Sequence, residues 1–206
     1  MRRVAGNAPA LSPRAMSAPR HSGNGRDFDR PIVMVGMMGA GKSAIGRRLA
    51  QRLGLPFVDA DAEIERAAGC TIEEIFEKHG EAVFRDGERR VIARLLDGPV
   101  SVLATGGGAF MDPETRARIR GRAIAVWLKA DLETLVERVA RRGHRPLLKG
   151  GDPREILTRL MAARNPIYAE ADITVETGNA PTAATVERVI EALAAFRPGA
   201  AAEQSA

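Results

Sequence analysis

Residues 32–46 read IVMVGMMGAGKSAIG. A short apolar run, a loop broken by glycines and ending in Lys-Ser, and the first turn of an amphipathic pattern follow one another without a gap. Within it, residues 36–43 (GMMGAGKS) fit G-x-x-x-x-G-K-[ST], the pattern in which backbone N–H groups and a helix N-terminus cradle phosphates. Gly39, Ala40, Gly41, Lys42, Ser43 and Ala44 are therefore the expected nucleotide contacts. Lys42 should reach the β- and γ-phosphates of a nucleoside triphosphate, and the Ser43 hydroxyl should ligate Mg²⁺.

Working outward, short β-rich runs alternate with longer helical patterns. The runs are 32–36 (IVMVG), 57–60 (FVDA), 100–105 (VSVLAT), 123–128 (AIAVWL) and 173–177 (ITVET), separated by stretches such as KSAIGRRLAQRL and DLETLVERVARR. Runs that are continuously apolar indicate strands buried on both faces, hence an α/β sandwich with a parallel sheet of about five strands. Two helix starts are legible. Thr71 stands three residues before Glu74 as a capping box, with Ile72, Ile75 and Phe76 spaced for one buried face. Asp112 precedes Pro113 as N-cap and first helical residue. Residues 143–152 (GHRPLLKGGD) carry neither period and are expected to form a mobile loop.

The 206 residues suit a single core, and no stretch approaches the roughly 18 apolar residues of a membrane span. A soluble, cytoplasmic protein is expected. One cysteine, Cys70, and three scattered histidines offer no soft-metal cluster. Residues 1–30 hold six arginines against Asp27 and Asp29, leaving +4 of the net +5 in that stretch. Its Ala, Pro, Ser and Gly content reads as a disordered basic extension over 1–29, ahead of a P-loop domain over 30–197 and a disordered tail over 198–206. A basic arm of this kind would also suit nucleic acid, a membrane surface or organelle import. No nucleic-acid partner is expected for the folded body, whose charges nearly balance.

The destination of the phosphate is carried by other residues. The third run passes into Gly106, Gly107 and Gly108 without a carboxylate, which argues against a motor or general ATPase. Asp59 and Asp61 close the second run, where residues two apart on a strand would point the same way, one toward a metal and the other toward an acceptor; an N-cap role for either competes with that reading. Arg85 and Arg164 are suited to capture of a carboxylate, and bare glycines to close approach of a ligand.

In order and spacing, GMMGAGKS, DADAEIE, IFEKHGEAVFRDGE, ATGGGA, RGHRPLL and RNPIY resemble the shikimate kinases, from about Pro31 to Phe196. The resemblance implies a P-loop kinase fold with a parallel sheet in the order 2-3-1-4-5 and a mobile lid. It implies transfer of the ATP γ-phosphoryl group to the 3-hydroxyl of shikimate, with one Mg²⁺ per subunit, in a protein that acts as a monomer. Position by position, it gives Asp61, Arg85, Gly106, Gly107, Gly108 and Arg164 to the shikimate site and makes Glu88 the partner of Arg85. Asp59 becomes a water-mediated Mg²⁺ ligand, Arg138 a neighbour of adenine, and Arg145 the lid arginine that joins Lys42 and Asp61 in catalysis. Ala44 departs from the hydroxyl residue of many relatives. A gluconate kinase would share the loop and lid but not the pair Arg85 and Arg164 with the glycine triplet. A regulatory nucleotide-binding module would depend instead on the basic arm.

Overall fold

The computed structural model describes residues 28–141, 151–178 and 180–197. Residues 1–27 of the basic extension, residues 142–150 with Arg145, and the C-terminal tail lie outside the described residues, whereas Phe28 packs on the core and Asp29 pairs with Arg30.

Five parallel strands form one sheet: β1 (Ile32–Val35), β2 (Phe57–Asp59), β3 (Val102–Ala104), β4 (Ile124–Ala130) and β5 (Ile173–Thr177). Their order is β2-β3-β1-β4-β5, the order that the family resemblance implied. The register sets Ile32 opposite both Val102 and Ile124, so β1 lies at the centre. Every residue of β1 and β3 is buried, as their unbroken apolar runs foretold. The edge strands differ. All three residues of β2 are only partly buried, and β5 alternates buried with exposed because one of its faces meets solvent.

Helices α1 (Lys42–Leu53), α2 (Ala60–Ala68), α3 (Ile72–Leu96), α4 (Pro113–Arg122), α5 (Leu132–Ala140), α6 (Pro153–Tyr168) and α7 (Thr182–Ala195) cover the sheet. The start of α3 is fixed by the expected box: Thr71 Oγ1 accepts from Glu74 N at 3.2 Å, and Glu74 Oε2 accepts from Thr71 N at 2.9 Å. Asp112 Oδ1 accepts from Thr115 N at 2.7 Å and caps α4, with Pro113 next. Helix α3 is not one straight rod, because Gly80 takes φ 79° and ψ 174° and divides it. Ile64, Ile75, Phe84 and Val91 close a second small core between α2 and α3, with Cys70 packed on it.

Candidate active site

The end of β1 turns into the loop 36–41 and then α1. At Gly36 (φ 132°) a Cβ would fall 2.6 Å from the Leu128 carbonyl oxygen, so only glycine lets the chain leave the sheet here. Lys42 is buried, and its ammonium donates to the carbonyls of Gly36 (2.8 Å) and Met37 (2.9 Å), which holds it over the loop. Arg138 on α5 straps the loop from the far side. Its Nη1 donates to the Gly39 and Ala40 carbonyls at 3.3 and 3.4 Å, and its Nη2 to the Gly178 carbonyl at 2.6 Å. Gly39, Gly41, Ala44 and Arg138 thereby line one cavity of about 210 Å³ together with Ala180 and Thr182. The last two, from the segment after β5, escaped the sequence reading because nothing local marks them.

Asp59 and Asp61 part company where β2 ends. Asp59 is the last strand residue and Asp61 belongs to the first turn of α2. The expectation of two carboxylates aligned along a strand is thus corrected, since the change from strand to helix between them is what separates their directions. Asp59 is the N-cap that was weighed for it, and it also faces the phosphate loop. Its Oδ1 accepts from Asp61 N at 3.1 Å as the N-cap of α2, and its Oδ2 accepts from the Ser43 hydroxyl at 2.8 Å.

Asp61 lines a different cavity, of about 250 Å³, with Arg85, Glu88, the three glycines and Arg164. Ile72 and Phe76 pack with Ile75 on the small core between α2 and α3, as their spacing indicated, and being only partly buried they also supply apolar wall to this cavity. Met38 of the phosphate loop shares the same wall. Here the glycines matter for space. A Cβ on Gly106 would lie 2.9 Å from both Asp61 Oδ1 and Glu88 Oε1, and one on Gly108 would lie 2.6 Å from Arg85 Nη1. A larger, almost wholly apolar hollow of about 350 Å³ between α2 and α3 brings no such groups together.

Electrostatics tie Arg85 to its place. Its Nη1 donates to Glu88 Oε2 at 2.7 Å and its Nη2 to Glu81 Oε1 at 3.1 Å. Burial by itself would lower the Arg85 guanidinium, but Glu88 and Glu81 outweigh it and the pKa is raised. Glu88 is 3% exposed, and burial raises its carboxyl above the usual range despite Arg85. The ion pair outweighs burial for Arg85, which has Glu81 as a second anion, but not for Glu88, which is more deeply buried and also feels the charges of Asp61 and Asp112. Glu88 Oε1 is buried without a hydrogen-bond partner among the described residues.

Residues 38–194 match the family model described as Shikimate kinase. The chain belongs to the shikimate kinase family. A shikimate kinase of Paramagnetospirillum magneticum is 62% identical over 182 residues, covering 88% of this chain and 92% of that protein. Another, of Bradyrhizobium diazoefficiens, is 60% identical and covers 85% and 84%. Among solved structures, the shikimate kinase from Acinetobacter baumannii in complex with shikimate superposes with a TM-score of 0.77 at 40% identity, over 80% of this chain and 93% of that one. This shikimate kinase family member thus brings together Asp61, Arg85, Gly106, Gly107, Gly108 and Arg164 as one group, and Ser43 with Asp59 as another. Arg145 lies outside the described residues.

Proposed function

We propose that this protein transfers the γ-phosphoryl group of ATP to the 3-hydroxyl of shikimate, giving shikimate 3-phosphate and ADP for chorismate and aromatic amino acid synthesis. The observation that carries this reading is the cavity in which Arg85, Arg164 and Asp61 share a wall with Met38 of the phosphate loop. Two guanidiniums suit one carboxylate, an aspartate suits ring hydroxyls, and the phosphate loop is next door. A small, hydroxylated carboxylic acid fits those three demands.

In the transfer, the acceptor oxygen forms a bond to the γ-phosphorus as the bond to the β,γ-bridging oxygen breaks, and ADP keeps that electron pair. The transition state is loose, so alignment and charge stabilisation dominate. Lys42 spreads positive charge over the β- and γ-phosphates from its seat on the loop carbonyls. Asp61 orients the attacking hydroxyl and takes up its proton. Ser43 Oγ and Asp59 Oδ2, hard oxygen donors 2.8 Å apart beside the loop, fit Mg²⁺, a cation bound through one or two protein oxygens plus phosphates and water. When bound there, Mg²⁺ offsets charge on the phosphates. Arg138 holds the nucleotide side of the loop, and Arg145, in a lid over 143–152, closes over the triphosphate. We assign the activity to a kinase domain over 30–197 acting as a monomer in the cytoplasm, with 1–29 and 198–206 as dispensable tails; among the described residues no helix is long and apolar enough to cross a membrane.

The test is ADP release by the purified protein with ATP and Mg²⁺, comparing no acceptor, shikimate and gluconate. A large rate that depends on shikimate is expected. Equal rates in all three arms would remove the acceptor assignment and leave a nucleotide site alone.

A further inference from the structure

Tyr168, the last residue of α6, is 1% exposed and is not among the groups that the reaction requires. Its ring is packed between Phe110 and Trp127, with centroids 6.4 and 5.9 Å away. Its hydroxyl donates to the Gly107 carbonyl. One helical turn earlier, Arg164 Nη1 donates to that same carbonyl at 3.3 Å. The central glycine of the triplet is therefore held from one side by two residues of one helix. On its other side it presses on the phosphate loop, where a Cβ would meet Met38 N at 3.3 Å and Gly36 O at 3.6 Å.

We propose that Tyr168 is a positioning residue for the acceptor: by holding the Gly107 carbonyl it fixes the glycine triplet and leaves the remaining N–H groups of Arg164 for the substrate carboxylate. The inference rests on reading the Asp61, Arg85 and Arg164 cavity as the shikimate site. A guanidinium has five donors and a carbonyl has two lone pairs, so both contacts coexist. Without the phenol, a buried carbonyl would be left with Arg164 as its side-chain donor, and the cost of leaving it poorly satisfied draws the guanidinium toward the main chain. The peptide that Gly107 shares with Gly108 is planar and trans, so a tilted carbonyl also tilts the Gly108 N–H, on the residue packed against Arg85. One hydroxyl in this way steadies both arginines.

Tyr168→Phe keeps the stacked ring and deletes only the donor. It is expected to raise the shikimate KM by about tenfold, as for a hydrogen bond to a buried carbonyl, with the ATP KM within about twofold of wild type. In an Arg164→Lys background the same change should add less than about twofold, since residues acting through one another are not additive. An unchanged shikimate KM, a parallel rise in the ATP KM, or effects that multiply in the double variant would each overturn the proposal. Because the chain has one tyrosine, 3-fluorotyrosine labels this position alone. Its fluorine resonance should shift with saturating shikimate, and a resonance that does not move sinks the idea even if Tyr168→Phe fails to fold. Wild-type protein run alongside separates the two levels: no shikimate-dependent turnover there removes the acceptor assignment, whereas normal wild-type turnover with an unaffected variant removes only the role of Tyr168.

Discussion

A methyl group on Gly108 would fall 2.6, 2.8 and 2.9 Å from Nη1, Nη2 and Cζ of the Arg85 guanidinium. The backbone there has φ −97° and ψ −17°, open to any residue, and the group in the way is the end of a long side chain. Gly108→Ala is therefore expected to fold, with its melting temperature within about 4 °C of wild type, while displaced Arg85 raises the shikimate KM by about tenfold or more. Steady-state kinetics beside a thermal melt checks both halves. Tyr168 gives a second expectation at this scale. Burial pushes its hydroxyl up to about 12, with Arg164 and Arg85 only partly offsetting that, against 10.0 for the free group. A folded pKa above the unfolded one means that its contribution is intact below pH 10 and is lost as pH rises toward 12. Urea midpoints should fall across that window in the wild type and fall less in Tyr168→Phe. The arginines and the glycine triplet were legible in the sequence because their chemistry is local. Tyr168 was not, since its partner Gly107 stands 61 positions away and an apolar-flanked tyrosine reads as ordinary core.

Helix α3 carries one wall of the cavity proposed for the acceptor on two unequal pieces. Ile72 and Phe76 lie before the break at Gly80, and Arg85 and Glu88 lie after it. At φ 79° and ψ 174° the backbone sits where a side chain is strained, although nothing lies within 4 Å of the missing Cβ. Gly80→Ala is expected to lower stability by about 1–3 kcal/mol through backbone strain alone, read as a shifted urea midpoint. It should also raise the shikimate KM, because the two halves of the wall would change their angle. A loss below about 0.3 kcal/mol would mean that the kink is carried by the neighbouring packing. The capping box of Thr71 and Glu74 located the start of this helix, but nothing local marked the kink, since a lone glycine inside a helical pattern carries no sign of the ψ it will adopt. That Ile72 and Phe76 also wall the cavity was not legible, since an apolar helix face looks the same whether it meets a core alone or a core and a cavity.

Across the whole molecule, buried β1 at the centre and the partly covered edges β2 and β5 explain why the sheet was readable from apolar runs while strand ends were not. The run read as 100–105 shortens to Val102–Ala104, with buried Ser101 and Thr105 just outside it. The loop 36–41, the Asp59 to Asp61 break and the glycine triplet all follow the C-terminal ends of adjacent strands, the rim where ligands bind in open parallel sheets. Most of the net charge belongs to residues 1–30, away from those elements in sequence. A chain restricted to 28–197 should therefore keep the shikimate and ATP KM values of the full protein, and a tenfold loss on truncation would give the basic arm a part in turnover.

The one tryptophan, Trp127, stands between the two halves of the site. Its ring stacks on Tyr168, and its Cδ1 comes within 3.2 Å of where a Cβ on Gly36 would be, at the root of the phosphate loop. The chain's single indole and single phenol are thus an optical pair, with the donor bonded to the acceptor side and the emitter leaning on the nucleotide side. Ultraviolet emission from unlabelled protein should register the arrival of either substrate, in any order of mixing, as a change in brightness or colour that originates at one known place.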